Sequence, residues 1–298
     1  MGIGITTPFR SGVVALAGRP NVGKSTLANA LVGRHVAAVS PRPQTTRRRV
    51  LAVADGPDWQ AVLLDLPGFQ TPADNLTERM QRSVDAGLVD CDAALFLIHA
   101  NENVGGGDRF IAARLAAAKL PVIVVVNQVD LVKPDRIAES IAAVAPLVDF
   151  VALHPVSALT GDGLDALKEE LGGLLKEGPR FFPKGMATNQ TEMEIAAELI
   201  REAALERLRQ EIPHAIAVQI EEIERTPKGR VIRGYIMVER ESQKIVVVGK
   251  GGAMISAIGA SARAQLARLW GGEVHTALTV KVRPRWRRDD SMLDRLGI

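Results

Sequence analysis

Gly18-Arg19-Pro20-Asn21-Val22-Gly23-Lys24-Ser25-Thr26 is the stretch of this 298-residue chain whose residue types and spacing most directly specify chemistry. Gly18, Gly23, Lys24 and Ser25 match G-x-x-x-x-G-K-[ST], between the apolar run 13–17 and a helical pattern over 24–32. That context separates a phosphate-binding loop from a chance match. The glycines permit backbone conformations barred to other residues, so successive amide N–H groups can turn inward around a phosphate. A helix starting near Lys24 aims its positive dipole end at the same anion. Lys24 supplies a point charge to the terminal phosphates, and the Ser25 hydroxyl is a ligand for Mg2+.

A purine base must be read elsewhere. Asn127-Gln128-Val129-Asp130 closes a further apolar run and resembles the Asn-Lys-x-Asp motif of GTPases. A carboxylate there accepts hydrogen bonds from guanine N1–H and the exocyclic amine, a donor pair that adenine lacks. Asp130 is therefore the candidate guanine reader, with Asn127 bracing the loop and a candidate for N7. Gln128 stands where Lys is usual, which predicts modestly weaker affinity with guanine specificity kept. Ser157-Ala158-Leu159 falls where a backbone N–H would contact the guanine oxygen. Asp65-Leu66-Pro67-Gly68 fits the Asp-x-x-Gly switch, with Asp65 holding Mg2+ through water and the Gly68 amide sensing the γ-phosphate. Taken alone, it also fits an ordinary strand-end turn. Thr46, within Pro41–Arg47, is the second candidate hydroxyl on Mg2+. Phe69 follows the switch glycine and cannot orient a water by hydrogen bonding, which predicts slow turnover. Lys24, Asn21, Thr46 and Gly68 are the candidate catalytic residues, and K+ held near Asn21 and Thr45 is a candidate substitute for an arginine finger.

Short apolar runs at 13–17, 61–65, 93–99 and 122–127 alternate with helical patterns around 24–32, 76–89, 110–118, 137–143 and 164–175. This order predicts an α/β domain with a mostly parallel sheet covered by helices on both faces. Its functional loops are expected beyond the C-terminal ends of the strands. We place this domain at residues 1–177 and a Gly/Pro-bearing linker at 178–190. A smaller α+β domain follows at 191–298, with its first helix opened by a Thr191/Glu194 capping box. The hydrophobic share of 47% and charged share of 24% suit a globular chain, and no run approaches membrane-spanning length. A single cysteine, Cys91, excludes an internal disulfide and points to a reducing cytoplasm. Net charge is +3, yet residues 225–298 carry 15 Lys and Arg against 6 Asp and Glu. That end suits a polyanion, or is simply a solvated basic surface.

Together, the loop 18–26, Pro-Gln-Thr-Thr-Arg at 43–47, Asp-x-Pro-Gly and Asn-x-x-Asp resemble the Era GTPases of the TrmE–Era branch. The apolar run Ile245–Val248, read as a strand, then Gly249-Lys250-Gly251-Gly252, Ile255, Ile258-Gly259 and Arg263 resemble a type II KH domain. In that fold a Gly-x-x-Gly turn grips about four single-stranded nucleotides; Gly249, Lys250, Gly251, Gly252, Ile255 and Arg263 are the candidate RNA contacts. The resemblance spans about residues 11–288. It implies GTP/GDP and Mg2+ as ligands, with slow GTP hydrolysis. It also implies binding of small-subunit ribosomal RNA near its 3′ end, and a switch role for a monomer in assembling the small ribosomal subunit. Peripheral association with the inner membrane is a further implication; Trp286, in the basic tail 281–288, would stack on a base, sit at a lipid interface, or pack the tail onto its domain. The competing readings are an RNA-binding module with a degenerate nucleotide site and a membrane-associated signalling GTPase.

Overall fold

The computed structural model describes residues 8–39, 50–65, 74–208 and 212–298. The chain divides into two compact units. The first comprises residues 1–37, 46–71 and 81–189; the second comprises 38–45, 72–80 and 190–298.

The first unit runs β1 (Arg10–Gly18), α1 (Lys24–Val32), β2 (Val50–Asp55), β3 (Trp59–Asp65), α2 (Asn75–Val89), β4 (Ala93–His99), α3 (Gly106–Ala118), β5 (Val122–Asn127), α4 (Pro134–Val144), β6 (Ala152–Val156), α5 (Leu164–Leu174) and β7 (Lys176–Glu177). Residues 81–89 of α2 belong here, and its start belongs to the second unit. The sheet order is β2-β3-β1-β4-β5-β6, with β7 on β1. Only β2 and β7 run antiparallel to their neighbours. Continuous apolar runs are what a strand covered on both faces requires, and β3, β4 and β5 are buried at every residue. Alternation then sorts their side chains: Leu16, Leu63, Leu95, Leu97 and Val125 join one core. Ala17, Leu64, Phe96, Ile98, Val124 and Val126 join the other. Because β1 lies between β3 and β4, chain connections leave it in opposite directions. The crevice beyond its C-terminal end, where such sheets bind ligands, coincides with residues 18–24.

The linker expected at 178–190 is fastened along this unit. Arg180 pairs with Asp55 at 2.6 Å, and the Phe181 and Phe182 amides each donate to Gln60 Oε1 at 2.9 Å. Gly185 N–H donates to Asp55 and Val53 N–H to the Ala187 carbonyl. Gln60 is fully buried and supplies the polar partner that the irregular segment needs.

In the second unit, α6 (Glu192–Arg207) starts at the Thr191/Glu194 capping box. It is followed by α7 (Ile212–Ala215), β8 (Ala217–Thr226), β9 (Gly229–Val238), α8 (Glu241–Val248), α9 (Ala253–Trp270), β10 (Glu273–Val282) and α10 (Asp290–Arg295). β9 is central, antiparallel to β8 and parallel to β10. Its Ile232, Ile236 and Val238 face the core shared with α6 and α9, including Leu199, Ile200, Ile258 and Leu266. Tyr235 and Met237 face a second cluster with Leu76, Met80, Trp286, Leu293 and Leu296. Residues 245–248, expected as a strand, form the end of helix α8. The Gln243 side chain explains the switch, accepting from the Glu239 and Arg240 amides at 2.9 and 3.0 Å at the helix start. The run joins neither edge of the three-stranded sheet β10-β9-β8, and local context overrides β-propensity.

Trp59 tests the packing at the base of the first unit. A Cβ on Gly172 of α5 would lie 2.3 Å from the indole, whereas nothing lies within 4 Å of one on Gly173. Gly172→Ala should cost about 1–3 kcal/mol from overpacking. Gly173→Ala should leave stability unchanged or raise it by up to about 1 kcal/mol through helix propensity. Urea unfolding of the two variants checks the contrast.

Candidate nucleotide and nucleic-acid sites

β1 delivers the chain to Gly18, and α1 begins six residues later at Lys24. The turn between them closes through Gly23, at φ 96°, where an added Cβ would stand 2.3 Å from Asn127 Nδ2. No other residue fits there. Asn21 is also left-handed, at φ 65°. Lys24 is only 6% exposed and donates to the Gly18 and Arg19 carbonyls at 3.0 Å each. Burial lowers its pKa to about 8, with the Asp65 charge pulling the other way. α1 carries no acidic residue in its first turn, so its dipole end is left for an incoming anion. Ser25 Oγ donates to Asp65 Oδ2 at 2.5 Å. Asp65 is fully buried at the end of β3, in register with Leu16 of β1. A hydroxyl and a carboxylate meeting beside a phosphate loop are the hard oxygen donors that suit Mg2+.

Arg19 turns its guanidinium away to the following loop, pairing with Asp108 and Glu102 at 3.0 Å each. Its contribution to an anion is therefore a backbone one. Val22 is fully buried, and Pro20 and Thr26 are half-buried. Asn127, 1% exposed, donates from Nδ2 to the Val22 carbonyl at 2.8 Å and accepts from the Ala158 amide at 3.1 Å. Both ends of its amide are thus engaged in bracing, which leaves at most the second Nδ2 hydrogen for a base N7. Gln128 and Asp130 follow, with Asp130 exposed in a short 3-10 turn, Val129–Leu131. Ser157 is fully buried and its Oγ accepts from the Thr160 amide. Leu159 is 79% exposed. Loop 18–23 and the loops after β5 and β6 therefore converge. Thr45, Thr46, Leu66, Pro67, Gly68 and Phe69 lie outside the described residues. His99, Glu102 and Asp108 escape a reading of the sequence alone. The position of His99 at a strand's C-terminal end is the available signal.

In the second unit, Gly249, Gly251 and Gly252 have φ of 74°, 59° and 83°. A Cβ on Gly249 would fall 2.7 Å from Met254 Cβ, so the turn sits tightly on the start of α9. Lys250 is exposed on it. Ile245 and Val246 of α8 are 71% and 45% exposed beside the turn, and Ile255 is half-buried. Arg263 is half-buried and donates to Thr276 Oγ1 at 2.8 Å, tying α9 to β10. Trp286 is 1% exposed and donates its indole N–H to the Ala215 carbonyl. It packs the C-terminal segment and is available neither to a base nor to a lipid surface. Part of the basic excess is matched locally: Arg233 with Glu222 and Glu224, Arg230 and Arg225 with Glu192, and Lys281 with Glu221.

Two known families match separate stretches of the chain. The family described as 50S ribosome-binding GTPase matches residues 13–128, and the KH domain family matches residues 211–287. GTPase Era of Heliobacterium modesticaldum is 41% identical over 290 residues, covering 97% of each chain. A crystal structure of a point variant of Aquifex aeolicus Era bound to GDP.AlF4- superposes with a TM-score of 0.92 at 36% identity, covering 97% of this chain and 99% of that one. Era in complex with MgGDPNP and nucleotides 1506–1542 of 16S ribosomal RNA superposes with a TM-score of 0.91 at 37% identity, with the same coverage. With relatives about 40% identical over nearly their whole length and the same fold throughout, the chain belongs to the Era family of GTPases.

Proposed function

We propose that the protein binds and slowly hydrolyses GTP, binds small-subunit ribosomal RNA near its 3′ end, and acts as a nucleotide-controlled switch in small-subunit assembly. The observation that carries this reading is the joining, in one chain, of a braced phosphate loop and a Gly-x-x-Gly turn. A relative matching almost the whole chain holds MgGDPNP and a 16S fragment. The family description naming the 50S particle covers only residues 13–128, so the RNA target is inferred from the full-length relative.

The phosphates would lie in the amide-lined turn 18–24, against the Lys24 ammonium and the α1 dipole. Asp130 would accept from guanine, the Ala158 amide would face the guanine oxygen, and Asn127 would hold both loops to the phosphate turn. Ser25 and Asp65, with Thr46, would hold Mg2+, which neutralises charge developing on the transferred phosphoryl group. Gly68 would sense the γ-phosphate. Arg19 is committed to Asp108 and Glu102, so it offers no arginine finger. With Phe69 unable to orient a water, turnover should be slow. Gly249, Lys250, Gly251, Gly252 and Ile255 would hold single-stranded RNA, with Arg263 acting chiefly through α9. A monomer working in the cytoplasm fits this reading.

Turnover of GTP but not ATP, together with an RNA affinity that differs between the GTP- and GDP-bound forms, is the expected result; no turnover above background with or without single-stranded RNA would refute the enzyme reading. If Asn21 helps hold K+ beside the phosphates, hydrolysis should be several-fold faster in KCl than in NaCl, and equal rates would remove that ion.

Lys24 yields a pH prediction. Its pKa near 8 means that the neutral form grows above that pH. A bound triphosphate favours the ammonium and draws the pKa back up, so binding at about pH 8.5 should take up protons. Calorimetry in buffers of different ionisation enthalpy should give different apparent enthalpies there and converging ones near about pH 6.5, where the lysine is already charged.

A further inference from the structure

Gln128 occupies the position where the alkyl stem of a lysine is usual, and its backbone is left-handed at φ 69°. A non-glycine residue persists in that region only where its surroundings hold it. Both ends of its side-chain amide are held. Nε2 donates to the Asn21 carbonyl at 3.2 Å, and Oε1 lies 3.1 Å from His99 Nδ1.

These two contacts settle each other. A backbone carbonyl only accepts, so the NH2 end must face Asn21 and the oxygen must face His99. His99 must then carry a proton on Nδ1. The ring is 5% exposed and ends β4, in register with Asn127. Its other nitrogen is then an acceptor and lies 3.8 Å from Glu102 Oε1, outside hydrogen-bonding range. The hydrogen-bonded chain runs from the Asn21 carbonyl through Gln128 to His99. Glu102 pairs separately with Arg19 at 3.0 Å. Asp108, 0% exposed, holds Arg19 from the far side.

We infer that His99 is a positioning residue for guanine nucleotide binding. By donating from Nδ1 it fixes the Gln128 amide, and through Gln128 it fixes the Asn21 carbonyl of the phosphate loop. Gln128 is left with one orientation at the junction of the base and phosphate loops, so a shorter, neutral side chain can serve where a lysine is usual. The inference rests on the nucleotide-binding reading above. It adds a residue from β4 to a site otherwise assembled from α1, the end of β3 and the loops after β1, β5 and β6.

The test uses the full chain and GDP, with Kd, dissociation rate and kcat at saturating GTP measured for each variant. His99→Ala should weaken GDP binding about 5–10-fold, mainly through faster dissociation, with kcat at saturation within about 2-fold. Asn places a donor near the Nδ1 position, so His99→Asn should recover most of the affinity. Gln128→Ala should weaken GDP binding at least as much as His99→Ala, and the double variant should be no worse than Gln128→Ala alone. Nitrogen NMR of the wild-type imidazole should report the Nδ1–H tautomer, and in Gln128→Ala that preference should be lost. Unchanged affinity in His99→Ala, additive losses, failure of Asn to rescue, or an Nε2–H tautomer in the wild type would overturn the assignment while leaving GTP binding intact. Absence of GDP binding by the wild-type chain would overturn both.

Discussion

Asn127 is a buried side chain with one amide and three loops to serve. Its nitrogen holds the Val22 carbonyl, its oxygen holds the Ala158 amide, and its position at the end of β5 fixes where both meet. Burial makes these contacts matter, because an amide removed from water must find partners within the protein. The arrangement also constrains the opposite surface: Gly23 must lack a side chain because Asn127 stands where a Cβ would be. Convergence of phosphate and base loops therefore depends on one residue pair that cannot be varied independently. Parallel strands of matching register bring that pair together.

Residues that specify their own environment are legible from the sequence. Gly18, Gly23, Lys24 and Ser25 carry their mechanism in their spacing. The runs at 61–65, 93–99 and 122–127 could only be strands buried on both faces. What escapes is contact between elements distant in sequence. His99 sits 29 residues from Gln128 and looks like one more residue ending an apolar run. Arg19 lies within the phosphate-loop motif, yet its side chain is held by Asp108, 89 residues away. Nothing local separates a Gly/Pro-bearing linker from one held by the buried Gln60.

In the second unit, the same limits fall on different residues. The glycines of 249–252 announce a turn, and all three of those with positive φ need the freedom they have. Ile245–Val248 reads as a strand and folds as a helix, its start capped by Gln243, because β-propensity is a weak preference that local context overrides. Trp286 illustrates the reverse case. An aromatic within a basic run invites a surface role, yet a large ring with a polar N–H is equally suited to closing a core once a carbonyl such as that of Ala215 is in reach.

Lys24 carries a consequence for the life of the protein between nucleotides. A buried ammonium and left-handed residues at Asn21 and Gln128 are tolerated because the site is built to surround an anion. Guanine nucleotide, by binding the native state in preference to the unfolded one, adds to its stability. By that linkage, resistance to unfolding rises with guanine nucleotide concentration relative to its Kd, so the nucleotide is a structural component of the fold as well as its substrate.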